Sequence, residues 1–336
     1  MSKSVDTRIQ YYELSNFQFQ NGPTLPSARL AYLDINPEFT KVAVIQTAFR
    51  GRLNKTLNFA DGVLRHHRII VIALFGNGES ASPSNTPGIP HTIDYRDCVH
   101  AQHELLTKHI GIQTVDLMLG FSMGGQCTYY WLVMYPGFVH RGAVIVCSSA
   151  RTSRHNYQFL EGPRAALECA ADFPLDKRDS ENPVSPRGLR AFGKAYSAWL
   201  TSAEWFEKEE YKTIGFETQD EWDSVVAGAN YDSWHPDDLL AMLGMWQKGN
   251  ITACSIGSYD TPQQALSQID VPVLLMPCQS DQYFRWEASQ NEAHWITGAT
   301  LAVIPSIWGH LAGAGSNVED NEWMDAQIEH FLDMIN

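Results

Sequence analysis

The sequence predicts an α/β protein: a mostly parallel sheet flanked by helices, interrupted by an inserted helical segment. Three observations predict it. Six short runs rich in Val, Ile and Leu recur along the chain without strict alternation, as strands buried on both faces do. Helical patterns lie between them, which implies βαβ units. From about 151 to 262 no such run occurs, and helical, aromatic and polar stretches take over.

Residues 8–34 alternate apolar and polar around "GPTLPS", the pattern of antiparallel strands joined by a loop. The buried runs follow: "KVAVIQTA" (41–48), "RIIVIALF" (68–75), "VDLMLGF" (115–121), "GAVIVCSS" (142–149), "VPVLLMPC" (271–278) and "TLAVIPS" (300–306). Residues 77–90 form a Gly/Ser/Pro-rich loop. Residues 93–111 read as a helix with Tyr95, Val99, His103 and Leu106 near one face and a stop at Gly111. A second helix spans 123–136 and ends at Pro136, and 320–336 is an amphipathic terminal helix. Five of the ten tryptophans, Trp199, Trp205, Trp222, Trp234 and Trp246, fall in the insertion. The expected organisation is a core of 1–150 and 263–336 carrying a helical cap of 151–262.

The chain has 336 residues, 44% hydrophobic and 18% charged, enough for a substantial buried core. A net charge of −14 argues against a nucleic-acid backbone or an anionic membrane surface as partner. The six cysteines form no Cys-x-x-Cys pair, and several sit in apolar runs, so buried free thiols are expected. The N-terminal stretch has no apolar core of a signal peptide, and no run approaches the roughly 20 residues of a membrane-spanning helix. A reducing, cytoplasmic setting is the expectation.

In an open parallel sheet, ligands bind beyond the carboxyl ends of the strands. Ser122 follows 115–121 in Gly-Phe-Ser-Met-Gly, Asp281 follows 271–278 in "QSDQYF", and His310 follows 300–306 in "IWGH". Ser, Asp, His is the order found where a sharp strand-to-helix turn presents a serine on an α/β-hydrolase sheet. A serine hydroxyl attacks only if a base takes its proton. His310 is the expected base, and Asp281 would orient its ring and stabilise the imidazolium. Gly120 and Gly124 clear space for the turn. The amide of Met123, at the start of the following helix, is one expected oxyanion donor. The second is expected from "QTAFRG" (46–51), at the amide of Phe49.

Other signals are weaker. Asp270 precedes its strand and Asp260 lies at the cap boundary, so both compete poorly with Asp281. His100 and His103 are one helical turn apart, but no carboxylate-histidine motif accompanies them, and no metal is expected. "GNGES" (76–80) opens no helix and is no dinucleotide fingerprint. The cap tryptophans, Trp199 and Trp205 first, either line an apolar acyl pocket or pack the cap.

Several stretches together resemble the homoserine O-acetyltransferase group of α/β hydrolases: "TIDYRDCVHAQHELLTKHIGI", "LGFSMGGQ", "YPGFVHRGAVIVCSSARTSRHN", "LLAMLGMWQKGNIT", "PCQSDQYF" and "IWGH". The likeness runs from about residue 25 to the end. It implies the α/β-hydrolase fold with a helical cap, Ser122 as nucleophile with Asp281 and His310, and an acyl-enzyme. Two departures mark a divergent member. The cap stretch "KAYSAWLTSAEWF" (194–206) lacks the arginine with which the group binds its substrate, and the loop that commonly reads His-Ala-Leu-Thr-Gly reads Thr47-Ala48-Phe49-Arg50-Gly51. Arg50 could supply a cation from another element.

The expected activity is therefore hydrolysis of an ester or thioester of a small carboxylic acid. The alternatives are acyl transfer from acyl-CoA to an alcohol, and ligand binding without catalysis. The expected partner is a small acyl substrate, with no cofactor, acyl-CoA as a candidate substrate, and a homodimer as the candidate assembly.

Overall fold

The computed structural model describes residues 8–173, 185–254 and 259–335. Residues 1–7 of the stretch read for a leader, Asn336 of the terminal helix, and 174–184 and 255–258 of the insertion lie outside the described residues.

Eight strands build one sheet: β1 (Gln10–Gln18), β2 (Thr24–Ile35), β3 (Val42–Gln46), β4 (Arg68–Ile72), β5 (Val115–Phe121), β6 (Val139–Val146), β7 (Val273–Met276) and β8 (Ala299–Leu301). Their spatial order is β1-β2-β4-β3-β5-β6-β7-β8. β1 pairs antiparallel with β2, and β2 antiparallel with β4. The other neighbours are parallel. β8 is shorter than the run that announced it. Beyond Leu301 only Ile304 still bridges to Cys278, and Pro305 has no amide to continue the ladder.

Successive residues of the parallel strands enter two different cores, which is why the runs do not alternate. Val44, Ile70, Met118, Ile145 and Leu275 face one side, and Ile45, Val71, Leu119, Val144 and Leu274 the other. α1 (Tyr95–Glu104) and α2 (Met123–Met134) cover the first side with Cys98, Val99, Cys127 and Trp131. α1 continues into a π-helical turn, Leu105–Ile110, stopped by Gly111 at φ 81°. α2 ends at Met134 because Tyr135, ahead of Pro136, is pushed out of the helical region.

The insertion holds α3 (Arg154–Glu168), α4 (Pro186–Ser197), α5 (Ala203–Glu207), α6 (Gln219–Trp222) and α7 (Pro236–Gln247). Among its described residues the only extended pairing is the bridge between Arg151 and Asn250, which closes its base. The sheet resumes after α8 (Pro262–Leu266), and α9 (Trp286–Ala293) lies between β7 and β8. α10 (Val318–Met334) covers the second side of the sheet with Met324, Ile328 and Phe331.

All six cysteines are free, but Cys169, on the exposed end of α3, is not buried as expected. Its thiol lies past the last apolar contact of that helix, Leu167. Among the described residues no helix is long and apolar enough to cross a membrane.

Candidate active site

β5 ends in a turn that only small neighbours permit. Ser122 sits at φ 56°, ψ −122°, a backbone conformation that costs an L-residue of the order of 1–3 kcal/mol. A Cβ on Gly120 would come within 2.2 Å of the Gly124 carbonyl oxygen, and one on Gly124 within 2.6 Å of the Gln46 carbonyl oxygen. The serine is pinned from the sheet side. Its amide donates to the Val146 carbonyl at 3.0 Å, and the Ser148 hydroxyl donates to its carbonyl at 2.7 Å. The first turn of α2 leaves its amides without partners inside the helix, Met123 first.

The loops after β7 and β8 bring the other two groups. His310 Nε2 stands 2.8 Å from Ser122 Oγ, and His310 Nδ1 stands 2.7 Å from Asp281 Oδ2. All three are buried. The other Asp281 oxygen accepts from the amides of Tyr283 (2.7 Å) and Phe284 (3.2 Å), so the carboxylate is held at both ends. The rings of Phe121, Tyr283 and Phe284 pack around the imidazole, with centroids 4.7, 4.9 and 5.8 Å away. This arrangement can carry a proton from the serine hydroxyl to the imidazole while keeping bulk water off the ring.

Several of these supports come from the insertion. The His310 amide donates to the Leu200 carbonyl at 2.9 Å, and the Ser202 hydroxyl donates to the Ile307 carbonyl at 2.7 Å. The Tyr283 hydroxyl donates to the Tyr196 carbonyl at 2.5 Å. Burial pushes the Tyr196 and Tyr283 phenols well above their ordinary pKa, so both stay neutral donors.

A cavity of about 260 Å³ opens over Ser122 and His310. Ala48, Phe49, Arg50 and Gly51 line it from the loop after β3, and among the described residues nothing engages the Phe49 amide. Phe121, Tyr196, Leu200 and Leu311 supply the apolar wall. None of these four stands out in the sequence by composition. Phe121 and Leu311 could have been found as the direct neighbours of Ser122 and His310. Tyr196 and Leu200 depend on how the cap docks.

Trp199 and Trp205 are not among the residues lining this cavity, so of the two readings open for them, substrate binding and cap packing, the structure corrects the first in favour of the second. Trp205 is fully buried, with ring centroids of Trp222 and Trp308 at 5.6 and 5.8 Å, and it fills the space beneath the His310 loop. Trp199 packs on Phe159 at 4.5 Å and His155 at 4.8 Å. Arg50 does reach the cavity wall, but its guanidinium lies on the Tyr231 ring, 3.7 Å from the centroid.

The competing groups lie elsewhere. Asp260 and Asp270 are exposed. His100 Nδ1 is 2.9 Å from the Tyr135 hydroxyl, and the His103 ring stacks on Tyr135 at 3.9 Å. Among the described residues, the one grouping of donors close enough for a metal ion is Cys147, Asp281 and His310. There the imidazole and carboxylate already bond each other, and burial pushes the Cys147 thiol well above its ordinary pKa.

A sequence profile of the alpha/beta hydrolase fold family matches residues 44–313. The chain is 33% identical over 269 residues to an ethyl acetate hydrolase of Pseudomonas veronii, covering 79% of this chain and 76% of that one. The solved structure of the acetyl esterase MekB superposes with a TM-score of 0.87 at 27% identity, over 97% of both chains. A homoserine O-acetyltransferase of Trichormus variabilis is 24% identical over 92% of this chain and 90% of its own.

Proposed function

The chain belongs to the α/β-hydrolase fold family, and on that premise we propose that Ser122, His310 and Asp281 act as the triad of a serine-dependent acyl hydrolase that cleaves short-chain esters. The reading is carried by the unbroken series Ser122 Oγ, His310 Nε2, His310 Nδ1, Asp281 Oδ2, with gaps of 2.8 and 2.7 Å.

In the proposed cycle Ser122 Oγ attacks the ester carbonyl while His310 Nε2 takes the hydroxyl proton. The carbonyl oxygen becomes an oxyanion and accepts hydrogen bonds from the amides of Phe49 and Met123. As the tetrahedral intermediate collapses, the bond to the alkoxy oxygen breaks. His310 returns the proton to that oxygen, and the alcohol leaves an acyl-serine. A water then attacks the acyl carbon with His310 as base. The second collapse releases the carboxylic acid and returns the proton to Ser122. Asp281 holds the ring in register throughout.

The size of the site supports a small substrate. About 260 Å³ falls below the roughly 300–1,000 Å³ usual for drug-sized ligands. Similarity to an ethyl acetate hydrolase and an acetyl esterase directs the proposal to acetyl esters first. The free thiols suit a reducing cytoplasmic setting.

Acyl transfer to an alcohol is the second reading, supported by the likeness to a homoserine O-acetyltransferase over most of the chain. The chemistry is the same until the acyl-serine meets its acceptor. Residues 194–206 hold no arginine, and Lys194, the cation there nearest the start of the stretch, pairs with Asp223 on the surface. A homoserine carboxylate would therefore find no bidentate partner in that stretch.

The test is labelling by a fluorophosphonate and hydrolysis of p-nitrophenyl acetate. Wild type is expected to take the label and Ser122→Ala to refuse it, with turnover down on the order of 10⁴-fold or more. Wild-type turnover in Ser122→Ala overturns the proposal. Incubation with acetyl-CoA, with and without L-homoserine, separates the readings: free CoA together with acetylated homoserine would favour transfer.

A further inference from the structure

Arg50 sits at φ 56° without being a glycine, directly after the residue whose amide is proposed as an oxyanion donor. Something must hold that backbone, and the structure shows what does. The guanidinium lies 3.7 Å from the centroid of the Tyr231 ring, and its Nη2 donates to the Asn230 carbonyl at 2.9 Å, across 180 residues of sequence. Two residues on, the Arg52 guanidinium lies 3.9 Å from the centroid of the Trp234 ring. On the other side of Arg50, the Phe49 ring sits among cap rings, with Tyr196 at 5.2 Å, Trp246 at 5.9 Å and Phe192 at 6.2 Å. The turn itself is tight: the Gly51 amide donates to the Ala48 carbonyl at 2.8 Å, and a Cβ on Gly51 would come within 2.6 Å of the Ala48 nitrogen.

We propose that Arg50 is a positioning residue: stacked on Tyr231 and bonded to the Asn230 carbonyl, it fixes the Phe49 amide, so that the cap sets one half of the oxyanion hole. The proposal rests on the reading of Ser122 as nucleophile and gives Arg50 a role other than substrate binding. The guanidinium is spent on the cap. A stacked arginine is hard to replace here because a planar cation can meet a ring face and a carbonyl at once. An oxyanion donor works only where the developing charge will be, and a shift of about 1 Å can cost about 100-fold in rate.

The experiment uses the full chain with Arg50→Met, Tyr231→Leu, the double variant, and Tyr231→Phe. Arg190→Ala, which removes an exposed cap ion pair to Asp232, is the control. The readouts are kcat and KM for p-nitrophenyl acetate, the rate of fluorophosphonate labelling, and Tm. The phosphonyl oxygen of the label occupies the place of the oxyanion. Arg50→Met and Tyr231→Leu are each expected to lose about 10- to 100-fold in kcat and a similar factor in labelling rate, with KM within about threefold. The double variant should be no worse than the slower single, since both break one contact. Tyr231→Phe keeps the ring on which the guanidinium stacks and should restore most of what Tyr231→Leu loses.

A raised KM with unchanged kcat would overturn the proposal and make Arg50 a substrate-binding residue. Multiplicative losses in the double variant, or a lowered Tm with unchanged kcat and labelling, would overturn it too. Should Tyr231→Leu fail to fold, Arg50→Met, altered at a half-buried loop residue, decides alone. Failure of wild type to label at all sinks the nucleophile reading. Equal labelling of wild type and Arg50→Met sinks only the positioning role.

Discussion

The turn that presents Ser122 and the loops that present its partners are held by different parts of the molecule. The backbone of the serine turn is held from the sheet: Gly120 and Gly124 make room, and Val146 at the end of β6 and Ser148 just after it fix the chain. The His310 loop hangs on Leu200 and Ser202, the Asp281 loop on Tyr196 through Tyr283, and the Phe49 loop on Asn230 and Tyr231. The proposed nucleophile is therefore placed by the core, and the groups proposed to activate it are held by the cap. Damage to the cap should leave a correctly folded serine that reacts slowly.

The largest effect tests whether the two halves act as one unit. His310→Ala is expected to lose on the order of 10⁴-fold or more in kcat, and the double variant with Ser122→Ala to be scarcely slower than either. Asp281→Asn should cost somewhat less, since the ring stays but is wrongly oriented. Independent, multiplicative losses in steady-state hydrolysis would break the picture.

Gly124→Ala strikes the core side alone. Its new Cβ meets the Gln46 carbonyl, at the end of the strand that leads into the Phe49 loop. A fall in kcat of about 100-fold and a loss of about 1–3 kcal/mol in urea unfolding are expected. Gly162→Ala, inside α3 with nothing within 4 Å, is its mirror in the cap. It should leave kcat unchanged and add about 0.5–1 kcal/mol of stability.

Ser202→Ala strikes the cap side. It removes the donor to Ile307 and the N-terminal cap of α5 together. A roughly three- to tenfold fall in kcat is expected, with about 1 kcal/mol lost in stability. An unchanged kcat would show that the His310 loop stands without this tie.

The junction of core and cap carries the smallest effect, visible only in stability against pH. Glu292 is half-buried, and its carboxylate accepts from the Tyr129 hydroxyl at 2.6 Å and from the amide of Ala150 at 2.8 Å, where the chain leaves β6 for the cap. Burial raises its carboxyl from 4.5 to about 7. The folded state thus holds a proton that the unfolded chain has lost. Its stabilising contribution is complete below about pH 4.5 and disappears as pH rises through about 7. Glu292→Gln mimics the protonated form. In urea unfolding at pH 5 and pH 8, wild type should lose stability relative to the variant over that interval. An equal difference at both values would place the proton elsewhere.

The same division explains what the sequence made legible. Ser122 directly follows β5, and Asp281 and His310 lie in the loops after β7 and β8, so the apolar runs and chain order suffice to place them at one edge of the sheet. The antiparallel pair at 8–34 and the helical insertion were legible for the same reason. For Trp199 and Trp205 the sequence left pocket lining and packing open, because an apolar ring encodes burial and not direction. Trp205 is spent on packing Trp222 and Trp308. Tyr196, Leu200 and the stacking of Arg50 on Tyr231 arise only once the cap is seated, and no spacing within either segment announces them. The exposed Cys169 escaped because the apolar contacts of α3 stop two residues earlier.

The backbone at Ser122 also bears on how this protein would fare under selection. At φ 56°, ψ −122° a glycine is at ease where the serine is not. Ser122→Gly is therefore expected to melt above wild type, by a margin on the order of 1 kcal/mol, while losing all turnover. A library sorted only for survival at high temperature would enrich that substitution early and fill with sturdy, inert proteins. Directed evolution toward heat tolerance in this chain needs an ester-cleavage screen in every round, because one route to a stabler backbone runs through the proposed nucleophile.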